Sequence, residues 1–263
     1  MTNQQDGFTV ETSEDIAQIT LNRPEKHNAF DDGLIASLTS AFNAIGADDH
    51  IRAVVLRAHG PSFSAGADAN WMRRMAGYDE AENLHDAKAL AGLMATIDGL
   101  PKPVIARVQG PAIGGGVGLV ACSDIVVAAD TAFFQLSEVK LGLTPSTISP
   151  FVIRAMGGRA ARRYFLTAER MDATTAQRLG LVHEVVAEDA LDGAVDALIG
   201  YLRKAGPEAL AQSKQLVAMV RDQEPSQVAD ATAQQIAQVR VGSEAQEGLS
   251  AFLEKRKPSW VVE

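Results

Sequence analysis

The 263-residue chain has a single cysteine, Cys122, which excludes an intramolecular disulfide and any cysteine-based zinc cluster. It has no apolar run near the ~18 residues that a membrane span needs. Basic residues are outnumbered, with 24 Lys and Arg against 33 Asp and Glu for a net charge of −9. That balance argues against nucleic acid as a bulk partner. Met1–Asp6 is polar and lacks the basic and apolar regions of a secretory leader. The five histidines show no metal-ligand spacing and no H-E-x-x-H. No G-x-S-x-G elbow is present, so the serine of an α/β-hydrolase is not expected. These absences describe a chain of a reducing compartment, expected to be cytoplasmic, with no metal, no membrane and no nucleic-acid partner. Hydrophobic residues make up 46%, as in an ordinary globular domain. The length allows one large core, or one core with a small appendage.

The pattern along the chain alternates strand and helix. Phe8–Glu11 and the stretch from Ile16 to Leu21 read as paired strands, ended by Pro24. Leu34, Ile35, Leu38, Phe42 and Ile45 fall at helical spacing behind Asp31 and Asp32, where anions suit a helix start. Short apolar runs at Ala53–Leu56, Val104–Val108 and Ile125–Ala128 are of the kind buried on both faces in a parallel sheet. Residues 60–70 read as a loop, 81–97 as a long helix, and 114–122 as a glycine-rich turn entering a short helix. The class expected is α/β. From about Asp189 strand signals vanish, and Pro207 and Pro225 separate what read as helices. Ser243 with Gln246 has the spacing of a capping box for the last of them. The division expected is a core over residues 1–188 and a helical region over 189–263, the latter serving packing or association.

Two loops of small residues follow buried strands: Phe63-Ser64-Ala65-Gly66-Ala67-Asp68 and Ile113-Gly114-Gly115-Gly116-Val117-Gly118. Small residues let a ligand approach the backbone, and free N–H groups at a helix start favour negative charge. Two such loops at neighbouring strand ends can aim two N–H groups at one oxygen. The loss of one donor from such an oxyanion hole typically costs about 3–4 kcal/mol of transition-state stabilisation. The alternative is tight turns with glycines kept for packing. The stretch Gly116–Ala121 also matches G-x-G-x-x-A, as in a dinucleotide site. Against that reading, the glycines begin well past the strand end at Val108, and the spacing to the next strand looks short for a crossover helix. Glu138 follows Phe133-Phe134-Gln135-Leu136-Ser137. A carboxyl among apolar groups has a raised pKa and exchanges protons near neutral pH; the alternative is a surface Glu at a turn. Arg73-Arg74 could contact an anion. Trp71, Met72 and Met75 read as core or pocket wall, and His85-Asp86 as a solvated helix face.

In order, Leu21-Asn22-Arg23-Pro24 with Asn28-Ala29, the loop 63–68, Pro103-Val104-Ile105-Ala106, Gly114-Gly115-Gly116, Cys122-Ser123-Asp124-Ile125, Glu138 with Leu141-Gly142, Leu166-Thr167-Ala168 and Gly180-Leu181-Val182 resemble the enoyl-CoA hydratase/isomerase (crotonase) superfamily. The resemblance covers nearly the whole chain. It implies a spiral of ββα turns with a C-terminal helical region used to form trimers, usually a dimer of trimers. It implies an acyl-CoA thioester substrate, with the N–H groups of Ala67 and Gly115 holding the thioester oxygen and Glu138 as the proton-transfer group. Ala65, Asp68 and Lys26 would lie near the adenine end of CoA. Phe252 and Lys255 would close the nucleotide site of a neighbouring subunit. Hydratases of this family commonly carry two glutamates, and the first of them falls on Gly118 here. The family's isomerases keep only the second, so a Δ3,Δ2-enoyl-CoA isomerase is the main alternative, with a non-catalytic acyl-CoA-binding protein another. The segments 69–75, 115–122 and 162–170 resemble bacterial methylglutaconyl-CoA hydratases of leucine breakdown. Their substrates carry a distal carboxylate, a partner for Arg73 or Arg74. The expected function is therefore hydration of a 2-enoyl-CoA, methylglutaconyl-CoA first, with no metal or redox cofactor.

Overall fold

The computed structural model describes residues 2–5 and 7–261. Strands β1 (Thr2–Gln5), β2 (Phe8–Ser13) and β3 (Ile16–Leu21) precede helix α1 (Asp32–Ala47). Strand β4 (Ala53–Ala58) leads to α2 (Ala69–Met75) and α3 (Glu80–Asp98), and β5 (Val104–Val108) leads to β6 (Ala112–Ile113) and α4 (Gly115–Ala121). Next come β7 (Ile125–Ala129), β8 (Phe133–Gln135), α5 (Ser149–Met156), α6 (Gly158–Thr167), β9 (Met171–Asp172), α7 (Ala173–Leu179) and β10 (Glu184–Val186). Four helices close the chain: α8 (Leu191–Leu202), α9 (Pro207–Val220), α10 (Pro225–Val241) and α11 (Ser243–Leu253).

The strands form two sheets, one of seven in the order β1-β2-β3-β4-β5-β7-β10 and one of three in the order β6-β8-β9. From β3 to β10 neighbours in the large sheet are parallel. Its central strands are buried on both faces, which explains why Ala53–Leu56 and Val104–Ala106 are unbroken apolar runs. The ββα spiral expected from the sequence is present: β5-β6-α4 and β7-β8-α5 are successive turns, each giving its first strand to the large sheet and its second to the small one.

Helix α1 starts because the Asp31 side chain accepts a hydrogen bond from Leu34 N at 3.0 Å. It buries Leu34, Ile35, Leu38, Phe42 and Ile45 in the hydrophobic core, with α3 beside it. Helix α8 adds Leu191, Val195 and Ile199 to the same core. Helices α9 and α10 bury no residue.

Three local expectations are corrected. The spacing between β5 and β7 does admit a crossover, carried by β6 and the seven-residue α4. The glycine run still lies beyond β6 rather than at the end of β5, where a dinucleotide turn would be. Ser243 does not cap α11: Gly242 is the N-cap and offers no side chain, and Gln246 instead donates to Arg240 O. Asp86 is not a free solvated side chain, since it accepts from the Trp71 indole at 2.8 Å.

Candidate active site

The first loop is fixed by the segment before α1. Asn28 has a left-handed backbone (φ 52°), a conformation that asparagine tolerates better than most residues. Its buried side-chain amide donates to His59 O and Ser62 O, both at 2.8 Å. Ser64, fully buried, donates to Asn28 O at 2.9 Å and accepts from Gly66 N at 3.2 Å. Phe30 then bridges residue 67 in parallel fashion, donating its N–H to Gly66 O at 2.8 Å and accepting from Asp68 N at 2.9 Å. In that pattern the Ala67 N–H points away from Phe30, and it has no hydrogen-bond partner among the described residues.

The second loop is fixed by the small sheet. Ile113 N donates to Ser64 O at 2.9 Å and Gly114 N to Gln135 O at 2.8 Å. Gly114 caps α4 at φ 53° and ψ −122°, a conformation that a side chain would strain. Gly115 opens α4, so its N–H has no intrahelical acceptor, and it also has no partner among the described residues. The loops touch: a Cβ on Gly66 would lie 3.2 Å from Gly115 N and 2.7 Å from Ile113 O. The two free amides therefore flank a single contact.

Glu138 reaches the same place from the one-turn 3₁₀ helix that follows β8. Its Oε1 is 3.2 Å from where a Cβ on Gly114 would stand. Its Oε2 is buried with no partner among the described residues. Burial pushes its pKa above the ordinary glutamate value, its own backbone N–H offsetting this only in part. An unpaired buried carboxyl destabilises the fold, and such groups cluster where proton transfer is done.

Asp68 caps α2 by accepting from Asn70 N at 2.7 Å, and it pairs with Arg23 at 3.1 Å and Lys26 at 3.2 Å. Burial pulls its carboxyl up, but the Asn70 N–H and Lys26 outweigh this and hold it below its ordinary range. Ala65 is half-buried, its N–H donating to His27 O at 2.8 Å. Arg73 bonds to the Asn70 side chain, and Arg74 pairs with Asp32 and Tyr78. Phe252, 79% exposed, and Lys255 lie at the end of α11, and among the described residues no hydrogen bond or ion pair joins either to the two loops or to Glu138. Sequence reading assigned no role to Asn28, Ser64 or Gln135, whose hydrogen bonds aim the amides.

Comparison with known proteins settles the family. The family model described as Enoyl-CoA hydratase/isomerase matches residues 11–262. The chain belongs to the enoyl-CoA hydratase/isomerase family. A crystal structure of an enoyl-CoA hydratase from Shewanella pealeana superposes with a TM-score of 0.94 at 45% identity, over 97% of this chain and 96% of that one. Enoyl-CoA hydratase ACTT6 of Alternaria alternata is 37% identical over 94% of this chain and 81% of its own length. The 2,3-dehydroadipyl-CoA hydratase of Escherichia coli is 34% identical over 92% and 93% respectively. Within this enoyl-CoA hydratase/isomerase chain, no group of three or more His, Cys, Asp and Glu among the described residues could hold a metal ion. Also among the described residues, no helix is long and apolar enough to cross a membrane.

Proposed function

We propose that the chain catalyses the reversible syn addition of water to a 2-enoyl-CoA whose acyl group carries a distal carboxylate, with methylglutaconyl-CoA as the preferred case. One observation carries this reading: two amides with no partner among the described residues, on touching loops, stand beside Glu138, whose buried Oε2 has none there either. The thioester oxygen accepts from Ala67 N–H and Gly115 N–H. Electron density moves onto that oxygen and leaves C3 electrophilic, and the donors favour this charged state over the ground state. Glu138 takes a proton from water as the new O–C3 bond forms, and then delivers a proton to C2. A hydrogen and a hydroxyl have then crossed the double bond, and Glu138 is restored. Written this way the reaction consumes water alone and needs no metal or redox cofactor. The test is Glu138→Gln: turnover falls by roughly 10²–10⁴ while CoA-ester binding persists. Near-normal turnover rejects the assignment.

The distal carboxylate is supported by the arginines of α2 and by the Escherichia coli relative, whose name denotes an acyl group with a second carboxyl. Among the described residues Arg73 engages no carboxylate, whereas Arg74 is already paired with Asp32. Arg73 is therefore the better placed to receive the substrate's anion. A second reading, Δ3,Δ2-enoyl-CoA isomerisation, is favoured by the apolar surroundings of Gly118, where a Cβ would stand 2.4 Å from Ile148 Cγ2 and 3.0 Å from Met94 Cε. Solvent ¹⁸O separates the two readings, since hydration incorporates it and a double-bond shift does not. The unburied helices α9 and α10 support a homotrimer, or a dimer of trimers, in which Phe252 and Lys255 close a neighbour's CoA site and Lys26 and Ala65 line it.

A further inference from the structure

Helix α2 begins two residues after Ala67, yet little holds it in place. It has seven residues, too few to be stable through its own hydrogen bonds. Trp71 alone among them is buried, at 3% exposure. The other side-chain ties of the helix lie at the surface. Arg73 bonds to Asn70 one turn back, and Arg74 pairs with Asp32 where both are about half exposed, a kind of pair that contributes little. Trp71 is gripped from two directions. Its ring packs in the core, and among the described residues its indole N–H has one partner, the Asp86 carboxylate of α3, at 2.8 Å. That acceptor stands on a well-anchored helix. α3 opens with a reciprocal cap between Asp79 and Glu82, and its far end places Leu93, Met94 and Ile97 in the core. On the other side, the backbone N–H of Trp71 donates to the Asp68 carboxylate, as does that of Asn70. Asp68 directly follows Ala67. A continuous chain of bonds therefore runs from Asp86 through Trp71 and Asp68 to the residue that carries the free amide. Before Ala67, the bridge to Phe30 is an isolated one, without the neighbouring ladder bonds that would stiffen it.

We propose that Trp71 and Asp86 are positioning residues for the reaction: the bond between them fixes α2, and through Asp68 it keeps the Ala67 N–H aimed at the thioester oxygen. The inference rests on the reading of Ala67 as an oxyanion donor. It deepens that reading by naming what holds the donor still. Both residues act through Ala67 rather than on the substrate. A phenylalanine at position 71 would bury a ring of similar character without fixing its orientation. The indole bond to a carboxylate is charge-assisted and directional, so it sets the rotation of the ring and with it the placement of the short helix. A buried indole N–H also costs stability when unpaired, which ties the one buried side chain of α2 to a single site on α3.

The test reads the donor through the group it polarises. Infrared difference spectroscopy of a saturated acyl-CoA, ¹³C-labelled at its thioester carbonyl, reports how far the bound C=O is polarised and needs no turnover. Bound to the wild-type protein, the carbonyl stretch lies below that of the free ester. In Asp86→Ala, and in Trp71→Phe, which keeps a ring in the core, the stretch moves back toward the free value. In both variants kcat for enoyl-CoA hydration falls roughly 10- to 100-fold, as misplacement of a catalytic group does, with KM little changed. Asp86→Asn keeps an oxygen for the indole N–H and retains most of the shift and of kcat. The core truncation Val195→Ala, in α8, lowers the melting temperature without moving the stretch, which separates positioning from stability. If the stretch and kcat of Asp86→Ala stay at wild-type values, or if Asp86→Asn is as impaired as Asp86→Ala, the inference is wrong while the oxyanion reading stands. If the wild-type protein leaves the bound carbonyl unshifted, the oxyanion reading fails and takes the inference with it.

Discussion

The role proposed for Glu138 sets function against stability. Its pKa is raised in the folded protein from the ordinary value of 4.5 because burial disfavours the charged form. Below pH 4.5 the carboxyl is neutral in folded and unfolded chains alike, and its burial is then least unfavourable. As pH rises through the folded pKa the carboxyl must ionise where ionisation is disfavoured, and that stability is lost. Glu138→Gln should therefore raise the melting temperature at pH 8, with a gain that shrinks toward pH 4.5 in a series of thermal melts. The same variant loses turnover, and wild-type kcat/KM should fall on the acid side of the raised pKa as the base becomes protonated. A melting temperature insensitive to the substitution at all pH values would mean that the carboxyl is solvated. Ser64 shows the opposite balance, a polar group with every partner present. Ser64→Ala strips Asn28 O and Gly66 N of their bonds inside the fold. The expected loss is about 1–3 kcal/mol in a denaturation experiment. Because Gly66 precedes the Ala67 donor, kcat should also fall by roughly 10- to 100-fold; a stability loss with unchanged kcat would separate the loop's packing from its catalytic aim.

At the scale of elements, the strands buried on both faces were legible as short apolar runs, and α1 as a 3.6-residue stripe behind two aspartates. What was not legible depends on pairing at a distance. Strands β6, β8 and β9 are two or three residues each, too short for a period, and they exist because neighbours supply their hydrogen bonds. Glu138 could be suspected from its apolar neighbours, and Ala67 and Gly115 from the family resemblance. The packing of Ile148 over Gly118 and the bond from Ser64 to Asn28 O join residues about 30 or more positions apart, and neither leaves a local signal. Helix α2 falls between these cases. Its two adjacent arginines are written in sequence, but the helix itself, its Asp68 cap and the pairing of Arg74 with Asp32 are not. That pairing yields a graded expectation. Arg73→Ala should raise KM for methylglutaconyl-CoA by roughly 10- to 100-fold, the worth of a hydrogen bond to a charged group. It should leave crotonyl-CoA, which has no distal anion, nearly untouched. Arg74→Ala should do less on both, since its charge is already satisfied. Equal losses on both esters, measured by loss of the enoyl thioester absorbance, remove the carboxylate from the reading.

At the scale of the molecule, the burial is lopsided. The core gathers the two sheets with α1, α3 and α8, whereas α9 and α10 bury nothing. The C-terminal helices leave Val217, Val241, Leu249, Phe252 and Leu253 more than half exposed. Exposed large apolar side chains gathered in one helical region are of the kind that mark association surfaces. A helix with no buried residue has little packing energy of its own to hold it folded. The free amides and Glu138 belong to the core, while Phe252 and Lys255 sit at the far end of these helices. The arrangement is economical if one copy's helices cover the next copy's site. Sedimentation should then give a trimer or a multiple of it. Phe252→Ala with Lys255→Ala should raise KM for CoA esters several-fold, with kcat and the core melting transition little changed. Mixing this double variant with Glu138→Gln gives the decisive reading. If closure comes from a neighbour, mixed trimers contain sites that pair an intact Glu138 with an intact Phe252 and Lys255, and low-substrate activity exceeds the sum of the separate proteins. If each chain closes its own site, the mixture does no better than that sum, and the shared-site arrangement is wrong.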